Sequence, residues 1–116
     1  MCKPPFNEKS APVAKAVCAD ATHESELRAA LDELVDDLGV PRVVVYNAAI
    51  VQAVDLGELS TSEHLDAWAV NVVGAITTAT HILPLMASVE GAKFIVTGGM
   101  PVAGPEATNL SLGKAA

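Results

Sequence analysis

The chain predicts an α/β fold, a partial Rossmann-like (doubly wound) parallel sheet with elements in the order β-α-β-α-β-α. Three observations lead there. The run Val43-Val44-Val45-Tyr46-Asn47-Ala48-Ala49 is β-branched and apolar, then breaks into an aromatic, an Asn and two small residues. A continuous apolar run of this kind reads as a strand buried on both faces, as in a parallel sheet covered by helices. The pattern recurs at Lys93-Phe94-Ile95-Val96-Thr97-Gly98-Gly99. Between the two runs lies a long stretch of helical character, the crossover that parallel strands require. Ligands of open α/β sheets bind just past the carboxyl ends of strands, where small residues let a backbone approach closely. Two such strand ends imply a ligand crevice.

The elements follow in order. Residues 1–11 read as a flexible lead-in, and 12–116 as the central part of a Rossmann-like domain. Val13 to Cys18 is a short apolar segment that fits a strand. Thr22 is the expected N-cap of the next helix, with Glu24 and Glu26 in its first turn, where the helix dipole favours negative charge. Leu27, Ala30, Leu31, Leu34, Val35 and Leu38 recur at helical spacing until Gly39 stops the run. After the Val43 strand, Ser60 and Glu63 form a capping-box signature. A long helix is expected from about Thr61 to Leu83, with Leu65, Trp68, Val72, Ala75, Ile76, Ala79 and Ile82 on one side and Pro84 at its end or at a kink. From Ala69 to Ala79 it is apolar almost all round, so it is buried or faces a partner. The Phe94 strand, a Gly/Pro-rich loop and the first turns of a last helix, Asn109 to Ala116, complete the order.

Composition narrows the function classes. At 116 residues the chain is at most one domain, and 51% hydrophobic residues allow a real core. Fourteen acidic against seven scattered basic residues, a net charge of −7, leave no patch for a phosphate backbone. Nucleic acid is excluded as a partner. The N-terminus has no apolar h-region, and no apolar run of membrane-spanning length is evident. Cys2 and Cys18 define no disulfide framework, so reduced thiols and a cytoplasmic location are expected. His23, His64 and His81 lie on three segments without ligand spacing, which argues against a metal. Gly99 and Gly104 have the spacing of a phosphate loop, but Pro105 and Glu106 replace its Lys and Ser/Thr.

Four places, taken in register, resemble the short-chain dehydrogenase/reductase family over about Val13 to Ala116. Cys18-Ala19-Asp20-Ala21-Thr22 looks like the strand end whose Asp bonds the adenine of the dinucleotide. Tyr46-Asn47-Ala48-Ala49 resembles the family's Asn-Asn-Ala-Gly signature beside the cofactor. Asn71, in Val70-Asn71-Val72-Val73-Gly74, sits where the family keeps a helix Asn tied to its proton relay. Leu110-Ser111-Leu112-Gly113-Lys114 occupies the place of Tyr-x-x-x-Lys. The resemblance implies NAD or NADP as cofactor for the complete fold, and a small-molecule carbonyl or alcohol as substrate. It also implies a homo-oligomer through the 61–83 helix. Asp20, Asn47, Ala48, Ala49 and Lys114 would contact the cofactor, and Asn71, Thr97 and Lys114 would serve catalysis.

Two departures qualify that expectation. The family's general acid is a Tyr, and here the position is Leu110, which carries no proton. The family's substrate-holding Ser falls on Thr97 by counting back from Leu110, and on Gly99 by matching strand ends. The Gly-rich turn that receives the pyrophosphate at a helix N-terminus does not occur in these 116 residues, so the chain reads as a truncated, weakly active or inactive oxidoreductase. A non-catalytic nucleotide-binding or assembly module is the alternative. Each residue also has a structural reading. Asp20 serves equally as a turn or cap residue, Asn47 and Ala48 as strand-end packing, Asn71 as a helix-bending side chain, and Lys114 as a solvated lysine.

Overall fold

In the computed structural model, residues 14–50 and 57–98 are described. Helix α1 spans Glu24–Leu38 and strand β1 Val43–Tyr46. A continuous helical rod follows, made of α2 (Thr61–Trp68), a π-helical turn (Ala69–Val73) and α3 (Gly74–Met86), and strand β2 spans Lys93–Val96. The α/β class and the parallel pairing of the two strands agree with the sequence expectation. Val43 pairs with Lys93, Val44 with Phe94, Val45 with Ile95 and Tyr46 with Val96. One bond at each end prolongs the ladder, Lys93 N–H to Arg42 O at 2.8 Å and Thr97 N–H to Tyr46 O at 3.1 Å.

The expected strand at 13–18 is not one. Residues 14–20 carry no regular structure, because a strand is made by a neighbour and β1 and β2 pair only with each other among the described residues. This segment is instead held by charge: Lys15 pairs with Glu33 at 2.8 Å and with Asp37, one turn apart on α1. Those two carboxylates, Asp37 foremost, raise the Lys15 ammonium above its usual pKa. Cys18, expected as a reduced thiol, is disulfide-bonded.

Helix α1 begins one residue later than expected. His23, not Thr22, is the N-cap, and it makes no side-chain capping bond. Thr22 is diverted because Asp20, two residues upstream, offers a carboxylate to both its N–H (2.8 Å) and its hydroxyl (2.6 Å). That closes the turn with which Asp side chains commonly imitate a backbone turn. At the other end Gly39, at φ +89°, returns its N–H to Val35 O and ends the helix.

Helix α1 packs on α3, and a polar chain joins the pair. Arg28 bonds Glu24 (3.0 Å), Thr80 (3.2 Å) and His81 Nδ1 (3.1 Å), while His81 Nε2 meets Asp32 at 2.6 Å. A guanidinium only donates, so His81 accepts at Nδ1 and gives its Nε2–H to Asp32.

The long helix departs from one uniform apolar side. Ala67, Ile82 and Met86 are buried, whereas Leu65, Trp68 and Ile76 are exposed, Leu65 at 62% and Ile76 at 56%. The π turn adds a residue to one turn of the rod, so the pattern after it is shifted from the one a straight helical wheel assigns. Pro84 neither ends nor bounds the helix, which runs on to Met86. By length and mean hydropathy (1.4) alone the rod Thr61–Met86 would suffice to cross a membrane, and its Asn71, Thr77 and Thr78 are buried within the protein.

The rod starts as its capping box requires. Glu63 N–H donates to Ser60 Oγ (3.2 Å), and Ser60 N–H donates to Glu63 Oε2 (2.7 Å). Those Ser60 bonds, the backbone one first, hold the Glu63 carboxyl below the usual carboxylate pKa. A depressed folded-state pKa adds stability above the unfolded value, and this is lost as pH falls through the folded one. Acidification through the carboxylate range is therefore expected to fray α2 by circular dichroism, and Glu63→Gln to flatten that dependence. Ser60→Ala should cost about 1 kcal/mol in denaturant unfolding.

Candidate functional site

The two parallel strands end side by side, and their last residues form the site. Thr97, just past β2, donates its hydroxyl to Asn47 Oδ1 at 2.8 Å and to Tyr46 O at 3.3 Å. The parallel register carries Tyr46 opposite Val96, so the next residues, Asn47 and Thr97, emerge together. Asn47, Ala48, Ala49, Thr97 and Gly98 are all exposed, which leaves this lip open to a ligand.

Below the lip the chain is clamped to the π turn. Asn71, 2% exposed, accepts the Ile50 N–H on Oδ1 (2.8 Å) and donates from Nδ2 to Ile50 O (3.3 Å). A carboxamide has both functions, so one side chain satisfies both backbone groups of one residue. Tyr46 is buried, and its Oη donates to Val70 O, the residue before Asn71. Burial raises the phenol pKa above its usual value.

Gly74 is where three segments converge. A Cβ there would overlap Tyr46 Oη and stand 3.0 Å from the Ala21 carbonyl. The Asp20–Thr22 turn thus abuts the same junction as Tyr46 and the π turn. Asp20 is half exposed, and its Oδ2 lies 3.1 Å from His23 Nδ1. The Thr22 hydroxyl and then the Thr22 amide lower its pKa. It is a carboxylate at neutral pH with one oxygen committed to its own turn.

The structure brings together Asn47, Ala48, Ala49, Asn71 and Thr97, while Asp20 stays in its own turn, whose Ala21 carbonyl borders the junction. Lys114, Leu110 and Gly99 lie outside the described residues. The sequence reading overlooked Tyr46, Gly74 and Ile50 as parts of this junction. The available signal was an only tyrosine at a strand end and a lone glycine in an apolar helix.

With this geometry in view, the comparisons with known proteins are coherent. The family described as short chain dehydrogenase matches residues 5–108. The chain belongs to the short-chain dehydrogenase family. Its fold is similar to that of gox2181 (TM-score 0.77, 16% identity), covering 85% of this chain and 40% of that one. It is also similar to an alcohol dehydrogenase from the archaeon Thermococcus sibiricus complexed with 5-hydroxy-NADP. There the TM-score is 0.75 and the identity 22%, covering 84% of this chain and 42% of that one. No curated protein sequence matches the chain. The chain therefore spans about two fifths of the length of these solved structures.

Asn71→Ala would leave both backbone groups of Ile50 without their buried partner. An unsatisfied buried group costs about 1–3 kcal/mol, so urea unfolding should show a loss in that range. Asn71→Asp, which keeps an acceptor but loses the donor when ionised, should cost comparably near neutral pH and less at acid pH.

Proposed function

We propose that this chain forms part of an NAD(P)-dependent oxidoreductase acting on a small-molecule carbonyl or alcohol, and that alone it is weakly active or inactive. The observation that carries the reading is the shared strand-end lip, with Thr97 bonded to Asn47 above an Asn71 clamp. Small residues at 48 and 49 suit the close approach of a planar cofactor, and Asp20 suits an exocyclic amine donor such as that of adenine. The pyrophosphate is another matter. It calls for backbone donors at a Gly-rich turn, and these 116 residues include none. The residues present thus fit the ends of a dinucleotide and not its centre, and no chemical step is assigned to the bound cofactor. Thr97 is the group that would hold a substrate oxygen, and Lys114 the one that would hold the nicotinamide ribose.

Leu110 favours the second reading, a non-catalytic module kept for nucleotide binding or assembly. Calorimetric titration of the 116-residue chain with NADH and NADPH is expected to show nothing tighter than roughly millimolar, about −4 kcal/mol. Joining an upstream strand–Gly-rich turn–helix unit of the family should bring micromolar binding, weakened by Asp20→Ala. If the joined protein still binds no dinucleotide, the oxidoreductase reading fails and the assembly reading stands.

The exposed residues of the rod, Leu65, Trp68, Val73, Ile76 and Leu83, support self-association through the 61–83 helix. An isologous contact would cover the same face on two copies. Light scattering at tens of micromolar is expected to give at least a dimer, and Ile76→Lys to return it toward monomer. A monodisperse wild-type monomer would count against this interface.

A further inference from the structure

We infer that Tyr46 is a positioning residue: its phenol, seated in the space that Gly74 leaves, fixes the Asn47–Ala49 arch at the strand end. The arch has two feet, four residues apart in sequence. Tyr46 stands on Val70 O through its hydroxyl, and Ile50 stands on Asn71 through both backbone groups. Val70 and Asn71 are adjacent and belong to the same π turn, so both feet rest on one rigid unit. A five-residue loop span with both ends bonded to neighbouring residues has little freedom in between. The third tie, Thr97 to Asn47, fixes the lip laterally against β2.

Tyr46 is suited to this and few residues would be. Its reach carries the hydroxyl from the strand to the helix, and its ring is buried on the way. Phenylalanine would fill the same space without the bond. Gly74 is the necessary complement, because any side chain there would occupy the position of the phenol oxygen and crowd the Ala21 carbonyl. Tyr46 and Gly74 are therefore coupled, and the Asp20–Thr22 turn is seated through the same junction. That the arch serves a cofactor rests on the function proposed above, whereas its anchoring does not.

The test separates the two. In the full 116-residue chain, amide exchange followed by NMR reads Ile50 against Ile95, an amide within the sheet and outside the 46–50 span. Tyr46→Phe is expected to speed Ile50 exchange by roughly 2- to 10-fold relative to Ile95, the equivalent of one net hydrogen bond, and to shift the Asn71 side-chain amide resonances. Gly74→Ala should speed both, and Tyr46→Phe with Gly74→Ala should be less perturbed than the sum of the single changes. Since Tyr46 is the only tyrosine, wild-type protein carrying 3-fluorotyrosine gives one ¹⁹F signal that needs no folded Gly74 variant. That signal should move on Asn71→Ala. Parallel changes at Ile50 and Ile95 in Tyr46→Phe, or a fluorine signal indifferent to Asn71, would overturn the inference. Absence of NADPH binding in the joined protein would overturn the functional reading alone.

Discussion

The arrangement of this chain depends on one carboxamide. Asn71 is buried in the middle of an otherwise apolar helix, a position that costs free energy unless every polar atom finds a partner. It finds both on the backbone of Ile50, which ties the crossover helix to the strand that precedes it. The same stretch of helix forms a π turn, and a tyrosine hydroxyl donates to the carbonyl of Val70 beside Asn71. Helix, strand end and the turn after Asp20 then meet at Gly74, where only a hydrogen fits. The candidate site lies directly on this junction, so its geometry is inherited from the fold.

Two local signals hold at helix ends. Gly39 ends α1 because its positive φ suits glycine, and Ser60 with Glu63 opens α2 because the two residues satisfy each other. The apolar β-branched runs at 43 and 93 form the two strands, and the small residues after them mark the candidate site. What escapes is decided mostly at a distance. Residues 14–20 have strand composition but no strand beside them among the described residues. Thr22 is the local exception, a good cap by type whose hydroxyl is taken by Asp20 two residues away. The π turn has no periodic signature, and a straight helical wheel put Leu65, before the turn, on one side with Ile82, after it, when the first is exposed and the second buried. Tyr46 looked like the end of a strand, and its role emerges only once Val70 and Gly74 face it.

A two-stranded parallel sheet cannot by itself bury two faces. Alternation shows this directly in β1. Val44 and Tyr46 face the helices, while Val43 and Val45 are each 54% exposed, and Ile95, the register partner of Val45, shares their face. An apolar groove of ≈ 370 Å³ also opens between α1 and β1, lined by Leu31, Leu34, Val35, Val43, Val44 and Ile82. Apolar area left in water forfeits about 25 cal/mol per Å², so these surfaces represent stability that a wider sheet would recover. The family resemblance agrees, since the matching solved structures are about twice as long as this chain. The ion pairs of Lys15 and the Arg28–His81–Asp32 chain join elements in the meantime, but exposed charges of this kind contribute modestly.

The residues that identify the family are not all of one kind. Asn71 and Asn47 make bonds within the protein, Asn71 to the backbone of Ile50 and Asn47 to the Thr97 hydroxyl. Proton transfer asks for something else, an ionisable group within reach of the reacting atom. Leu110 supplies none, and Tyr46, the chain's only phenol, is unsuited to replace it. Its hydroxyl is committed to Val70 O, its ring is buried, and burial raises its pKa further from neutrality. Thr97 stands between the two classes, because its hydroxyl lies on the open lip while bonded to Asn47 and Tyr46. A hydroxyl needed only for structure would be satisfied there, and one needed for substrate would have to exchange a protein acceptor for a ligand oxygen. Fold membership and chemical competence are therefore separable in this chain, the first carried by bonds within the protein and the second by groups that must face outward.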